Sequence, residues 1–396
     1  MKKYDFIIIG AGISGCSLAY FLSLYSKNIL LIDKNSDVAY GASGAAGAFL
    51  SPLLGIDNKF KTLVSNALNF SMNFYRNNFP NFLNDCGTVR IPKNITDEEK
   101  FQSYIPFMDF EFEKKDDGYF FPIGSTIKPY EICKALTNDI EKVFDYEVKS
   151  IKQLKENWQI NEDYFASKLF LCTGSNIELI EEDYFDIRAV WGQKIDVLSS
   201  SKIDCNYHKE CSLSQSIEIN GKQKISIGAT HNRFTSDMSD TSYNLNLKNI
   251  NNLVHDEKTI KIINEDIEKL LNKAKDIKKI ENVEVVDIKI GARASSIDYF
   301  PMVGSLVDSK NSFLKYPHIK NGTHIKNENL EIIPNLYTLN GVGGRGFVLG
   351  PYLANLLTNL VVKNEKLPEE IENFRLFSRW AKKLNNKGKN GKIFLK

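Results

Sequence analysis

The sequence predicts an α/β fold: a Rossmann-like nucleotide-binding domain, discontinuous along the chain, with an inserted, mostly antiparallel-sheet substrate domain. Three observations predict it. The chain opens on a strand, a glycine-rich turn, a helix and a second strand that ends in an acid. Two later apolar segments, at 168–174 and 336–339, read as returns to the same sheet, and each runs into a glycine turn. Between them, 188–197 and 215–229 read as antiparallel strands.

The opening unit carries the most information. "FIIIGAGISGCSLAYFL", residues 6–22, follows two lysines and has the outline of a signal peptide. Ile13-Ser14-Gly15-Cys16 even has that of a lipoprotein cleavage site. The spacing of the glycines argues otherwise. Gly10-Ala11-Gly12-Ile13-Ser14-Gly15 reads G-x-G-x-x-G between a strand at 4–9 and a helix at 14–24. The next strand, 28–32, ends at Asp33, about 20 residues beyond the glycines, as the dinucleotide fingerprint requires. Gly10 permits the tight turn, Gly12 the approach of a pyrophosphate, and Gly15 the packing of helix on strand. The helix N-terminus attracts phosphate, and Asp33 accepts hydrogen bonds from ribose hydroxyls. Cleavage at Cys16 would destroy this register, so the expectation is no export signal and a cytoplasmic protein.

Composition sets the bounds. The 396 residues allow two domains, and 42% hydrophobic with 25% charged residues is ordinary for a globular protein. A net charge of +2 excludes a global attraction to nucleic acid, so any such grip is a local patch. The six cysteines form no C-x-x-C pair, and free thiols in a reducing compartment are expected. His208, His231, His255, His318 and His324 show no ligand or triad spacing, so no metal is expected. Beyond the opening stretch no membrane segment is expected.

The remaining elements follow in order. "GASGAAGA" at 41–48 is a small-residue loop, followed by a helix at 59–78. "GTVRIP" at 87–92 reads as a strand, 93–117 as charged connecting structure, and 129–143 as a helix with Pro129 in its first turn. "EINGK" places a hairpin turn at Asn220-Gly221. Segment 245–278 has helical spacing, 284–292 is a strand leading into "GARASSIDYFPMVG", and a helix at 348–362 follows "GVGGRGF".

With these motifs in place, the chain resembles the D-amino-acid-oxidase-like family of FAD oxidoreductases over nearly its whole length. The resemblance rests on the fingerprint, "GASGAAGAFLSP", "LCTG", "GARASSIDYFPMVG" and "GVGGRGF". Within that family it is nearest the FAD-dependent domain of the bifunctional enzymes that modify the tRNA wobble uridine. Those enzymes often carry a fused methyltransferase. This chain begins at the flavin domain, so the expectation is an oxidase half, with any methyltransferase a separate partner. The implied FAD-binding domain comprises 1–80, 145–187 and 330–396, and the substrate domain 81–144 and 188–329.

The resemblance implies FAD as cofactor. Hydride leaves a carbon next to a neutral amine for the flavin, and the resulting imine hydrolyses. Gly10, Gly12, Ile13, Ser14, Gly15, Asp33 and Lys34 are the expected nucleotide contacts. Ser43 and Gly44 wrap the pyrophosphate and flavin, or form a plain loop. Thr173 and Gly174 contact the cofactor, or merely end a strand. Gly343, Gly344, Arg345, Gly346 and Phe347 are expected beside the flavin ring. Arg293 and Arg345 are the expected catalytic-site residues. A guanidinium fork suits a substrate carboxylate, while the bland alternatives are a strand-end anchor for Arg293 and a helix cap for Arg345. Asp298 is expected to order its loop. The basic segment 379–396 meets RNA phosphates or is a solvated end.

Three functions compete. One is oxidation of a carboxymethylaminomethyl group on tRNA wobble uridine, 2-thiolated or not, releasing glyoxylate and leaving the aminomethyl uridine. The second is oxidation of free glycine, sarcosine or a D-amino acid. The third is a flavoprotein without turnover.

Overall fold

The computed structural model describes residues 2–232 and 257–389. Among these, an eight-stranded sheet is parallel at its centre, in the order Glu141–Val143, Ile29–Ile32, Lys2–Ile9, Tyr164–Leu171, Ile332–Asn340. Ile29–Ile32 is wholly buried, and Lys2–Ile9 is buried at its last four residues. Unbroken apolar runs of this kind suit parallel strands covered on both faces. One face carries the helices Ile13–Ser23, Lys59–Asn78 and Gly346–Lys363. The other packs against Tyr184, Phe313, Phe377 and Trp380, the last two from the C-terminal helix Phe374–Lys389.

Local chemistry sets the helix ends. The side chain of Asn58 accepts from the Phe60 and Lys61 N–H groups and caps Lys59–Asn78. Gly346–Lys363 contains Pro351, which has no N–H for the Phe347 carbonyl. Tyr75 supplies the missing donor, its hydroxyl lying 3.0 Å from that oxygen, and Ser71 donates to the Val348 carbonyl at 2.7 Å.

A nine-stranded sheet forms the second layer, and its longest pair is Ile187–Ser199 with Glu284–Ser296, antiparallel. Helix Glu257–Lys275 covers it with Ile263, Leu270 and Ala274. The expected hairpin is present: Asn220 and Gly221 have φ of 51° and 77°, the primed-turn geometry that joins Ile217–Ile219 to Lys222–Gly228.

Four expectations change. The helix expected over 129–143 spans only Pro129–Leu136, and Glu141–Val143 is a parallel strand against Ile29–Ile32. Tertiary pairing overrides local pattern there, so 81–144 contributes to both sheets. Likewise Met302–Val307, expected in the inserted part, pairs with Ile332–Asn340 on the nucleotide sheet. Segment 93–117 holds a helix, Ile95–Tyr104, capped by Asn94, and a strand, Glu113–Lys115. The basic end is helical over Phe374–Lys389 rather than a solvated coil; Lys392 and Lys396 lie outside the described residues, as do 245–256 of the expected helical segment.

Candidate functional site

A cavity of about 1440 Å³ runs between the two sheets. Gly10 and Asp33 line one end and Arg293 the other. That exceeds the usual volume of a single small-ligand site, roughly 300–1,000 Å³, and leaves room for a dinucleotide and a substrate.

The nucleotide end follows from its glycines. Gly10 has φ of 106°, and a Cβ there would lie 2.3 Å from the Cys172 carbonyl oxygen. A Cβ on Gly15 would lie 1.8 Å from the Gly10 oxygen, so the helix reaches the strand only as glycine. Gly12 caps helix Ile13–Ser23 with no side chain of its own. The Ile13 N–H donates to Ser43 Oγ at 2.9 Å, which ties the small-residue loop to the helix start. Asp33 Oδ2 accepts from Ala11 N–H at 2.6 Å, and Oδ1 accepts from Asn35. These bonds orient the carboxylate and leave lone pairs free for hydroxyl donors.

The second and third expected segments meet through a residue that was not anticipated. Asn340 donates to the Gly174 carbonyl at 2.9 Å and accepts from the Gly341 N–H. Gly174 has φ of 64°, and a Cβ there would meet open space. Gly346 and Gly350 pack on Ile13, so two helices converge at their N-termini. Ile13, Ser14, Lys34, Ser43, Thr173, Gly343, Gly344, Arg345, Gly346 and Phe347 all line the cavity. Gly15 and Gly44 do not: the first serves packing, and the second is buried within its loop. The cradle fits FAD.

At the other end, Arg293 lies across Gly192 of the neighbouring strand, where a Cβ would sit 2.1 Å from its guanidinium. Its Nη1 donates to the Thr230 carbonyl at 3.0 Å. Burial lowers the pKa of both Arg293 and Arg345 from the usual arginine value. Among the described residues neither makes an ion pair with a carboxylate. Asp298 orders its loop as expected, through a paired contact with Arg375 at 2.9 and 3.0 Å and bonds to Ser296 and Phe300.

Sequence reasoning missed Arg90 and His208, which also line the cavity. Arg90 stood in a segment read only as a strand. Burial, reinforced by Arg345, lowers its pKa to about 10. His208 is held well below the usual histidine value by burial and then by Arg90 and Arg345. His231 is lowered by burial and then by Arg293. No described helix is long and apolar enough to cross a membrane.

The family model for DAO, FAD dependent oxidoreductase, matches residues 5–360. The tRNA 5-methylaminomethyl-2-thiouridine biosynthesis bifunctional protein MnmC of Campylobacter fetus is 23% identical, over 91% of this chain and 56% of that protein. The protein of the same name from Campylobacter concisus is 25% identical, over 90% and 56%. The chain thus spans little more than half the length of these relatives. Glycine oxidase from Bacillus cereus superposes with a TM-score of 0.69 at 18% identity, covering 95% of this chain and 98% of that one. The family model spans residues 5–360, which include the glycine cradle and every residue lining the cavity, and the chain belongs to the DAO family of FAD-dependent oxidoreductases.

Proposed function

We propose that this flavoenzyme oxidises an N-substituted glycine group, carried as 5-carboxymethylaminomethyl-(2-thio)uridine at the tRNA wobble position. The observation that carries the glycine part is Arg293: a half-buried fork at the cavity wall, without a carboxylate partner among the described residues. The names of the relatives, which act in tRNA 5-methylaminomethyl-2-thiouridine biosynthesis, support the tRNA part.

FAD, when bound, takes the electron pair from the carbon beside the amine. The chain supplies position and field. Arg293, held by the Thr230 carbonyl, grips the substrate carboxylate and so fixes the adjacent carbon. The positive charges of Arg293 and Arg345 disfavour protonation of the substrate amine. That helps, because only a neutral amine supports loss of the electron pair. The CH₂–NH unit loses two electrons and two protons to become CH=N. Water then adds to the imine carbon and the C–N bond breaks, giving glyoxylate and the aminomethyl uridine. A methyltransferase acting on that amine is the expected next partner, and the compartment is that of tRNA, the cytoplasm.

The test incubates FAD-loaded protein with tRNA bearing the modification and, separately, with glycine, sarcosine and D-amino acids. Glyoxylate from tRNA, with loss of the carboxymethyl group in nucleoside mass spectrometry, is the expected result. Turnover of a free amino acid with none on tRNA would replace this reading by a free amino-acid oxidase.

A further inference from the structure

Arg90 ends the strand Thr88–Arg90, which pairs in parallel with Asn206–His208 and sets Arg90 opposite His208. Both line the cavity, as do Ser212 and Arg345. His208 Nδ1 lies 2.8 Å from Ser212 Oγ. Among the described residues only Nη1 of Arg90 is engaged, in two long bonds, to Ser51 Oγ at 3.5 Å and the Pro52 carbonyl at 3.4 Å. Its Nε is fully buried and has no hydrogen-bond partner. A guanidinium whose Nε is sealed from water without an acceptor is costly to keep, and the cost is recovered when an oxyanion arrives to accept its donors.

Arg293 belongs to a different group. It stands on the Glu284–Ser296 strand, which four strands, Ile187–Ser199, Lys222–Gly228, Ser212–Leu213 and Asn206–His208, separate from Thr88–Arg90, and a Cβ on Gly344, the residue before Arg345, would lie 3.5 Å from its Cδ. The cavity therefore offers two cationic centres for one substrate. An isolated glycine carboxylate occupies one of them.

We propose that Arg90, with Arg345 and His208, forms a second oxyanion subsite that takes an anionic group of the substrate other than the glycine carboxylate. Resting on the function proposed above, that group is a phosphate of the modified nucleotide; a second carboxylate has the same chemistry. Arg90 is thus a specificity-determining residue. It separates substrates with two anionic ends from glycine or sarcosine, which have one.

The test measures Kd by calorimetry on the FAD-loaded protein, using two ligand pairs that each differ by one anionic group. The first pair is 5-carboxymethylaminomethyluridine and its monophosphate; the second is N-methylglycine and iminodiacetate. The expected result is that the added group tightens binding to the wild type by about ten- to one-hundred-fold in at least one pair. Arg90→Gln abolishes that gain and leaves the singly charged partner within about twofold. Arg90→Lys, which keeps the charge, retains part of it; if Arg90→Gln loses FAD or its thermal transition, this variant carries the comparison. A gain confined to the nucleotide pair identifies the phosphate. A gain confined to iminodiacetate keeps the subsite but removes the tRNA reading. The proposal is overturned if neither pair shows a gain in the wild type, or if the gain survives Arg90→Gln with its FAD content intact.

Discussion

Arg293 and Lys would carry the same charge at the cavity wall, but only Arg offers two parallel donors while a further one holds the Thr230 carbonyl. Arg293→Lys should therefore weaken substrate binding by roughly 1.5–3 kcal/mol, ten- to over one-hundred-fold, with FAD content unchanged. Steady-state kinetics check it, and unaltered values would make the residue a strand anchor. His208 gives a second test. Its folded pKa lies well below the usual 6.5, from burial first and then Arg90 and Arg345. Below pH 6.5 the unfolded chain takes up a proton that the folded chain refuses, so stability falls as pH falls through that value and is unaffected above it. Thermal melting between roughly pH 5 and 6.5 should show this slope, and His208→Gln should flatten it.

At the scale of elements, the two long antiparallel strands place Gly192 and Arg293 side by side. A methyl group at 192 would meet the guanidinium at 2.1 Å, so Gly192→Ala must displace Arg293. Alanine suits a strand better than glycine, so the fold should hold. The expected outcome is a raised KM with normal FAD colour and melting temperature, and no further loss when Arg293→Lys is added, since both changes act on one group. Additive losses would show that Gly192 acts elsewhere. Gly10 and Gly15 work in the same way between other elements, where the missing side chains let a turn, a strand and a helix touch.

Across the whole molecule, a net charge of +2 leaves any RNA contact to local patches. Lys382 and Lys383 are exposed on the C-terminal helix, while Leu376, Phe377 and Ala381 bury its other side against the parallel sheet. Truncation at Arg379 would remove Trp380 and Ala381 from that core, so lost activity would report lost stability. Lys382→Glu combined with Lys383→Glu leaves the core alone. If these lysines meet phosphates, tRNA affinity falls and the dependence of log K on log salt becomes shallower by about 0.7 for each phosphate no longer neutralised. An unchanged salt slope with normal melting assigns them to solvent.

The glycine unit was legible because its parts are neighbours in the chain. Three glycines, an apolar strand on each side and Asp33 specify turn, helix start and acid through spacing alone, and the structure sets all of these around one cavity except Gly15, which it uses for packing. Arg293 and Arg345 were legible as arginines within recognisable glycine-bearing blocks. Arg90 and His208 were not, because each looks ordinary in its own strand. They become a pair only when sheet register sets Thr88–Arg90 beside Asn206–His208. The same reason hid the strand Glu141–Val143, which reads as a helix end until Ile29–Ile32 offers it hydrogen bonds. Local spacing thus determined the nucleotide-binding unit. Long-range strand pairing and burial decided which cations share a cavity, because only the folded sheet brings those side chains within reach of each other and away from water.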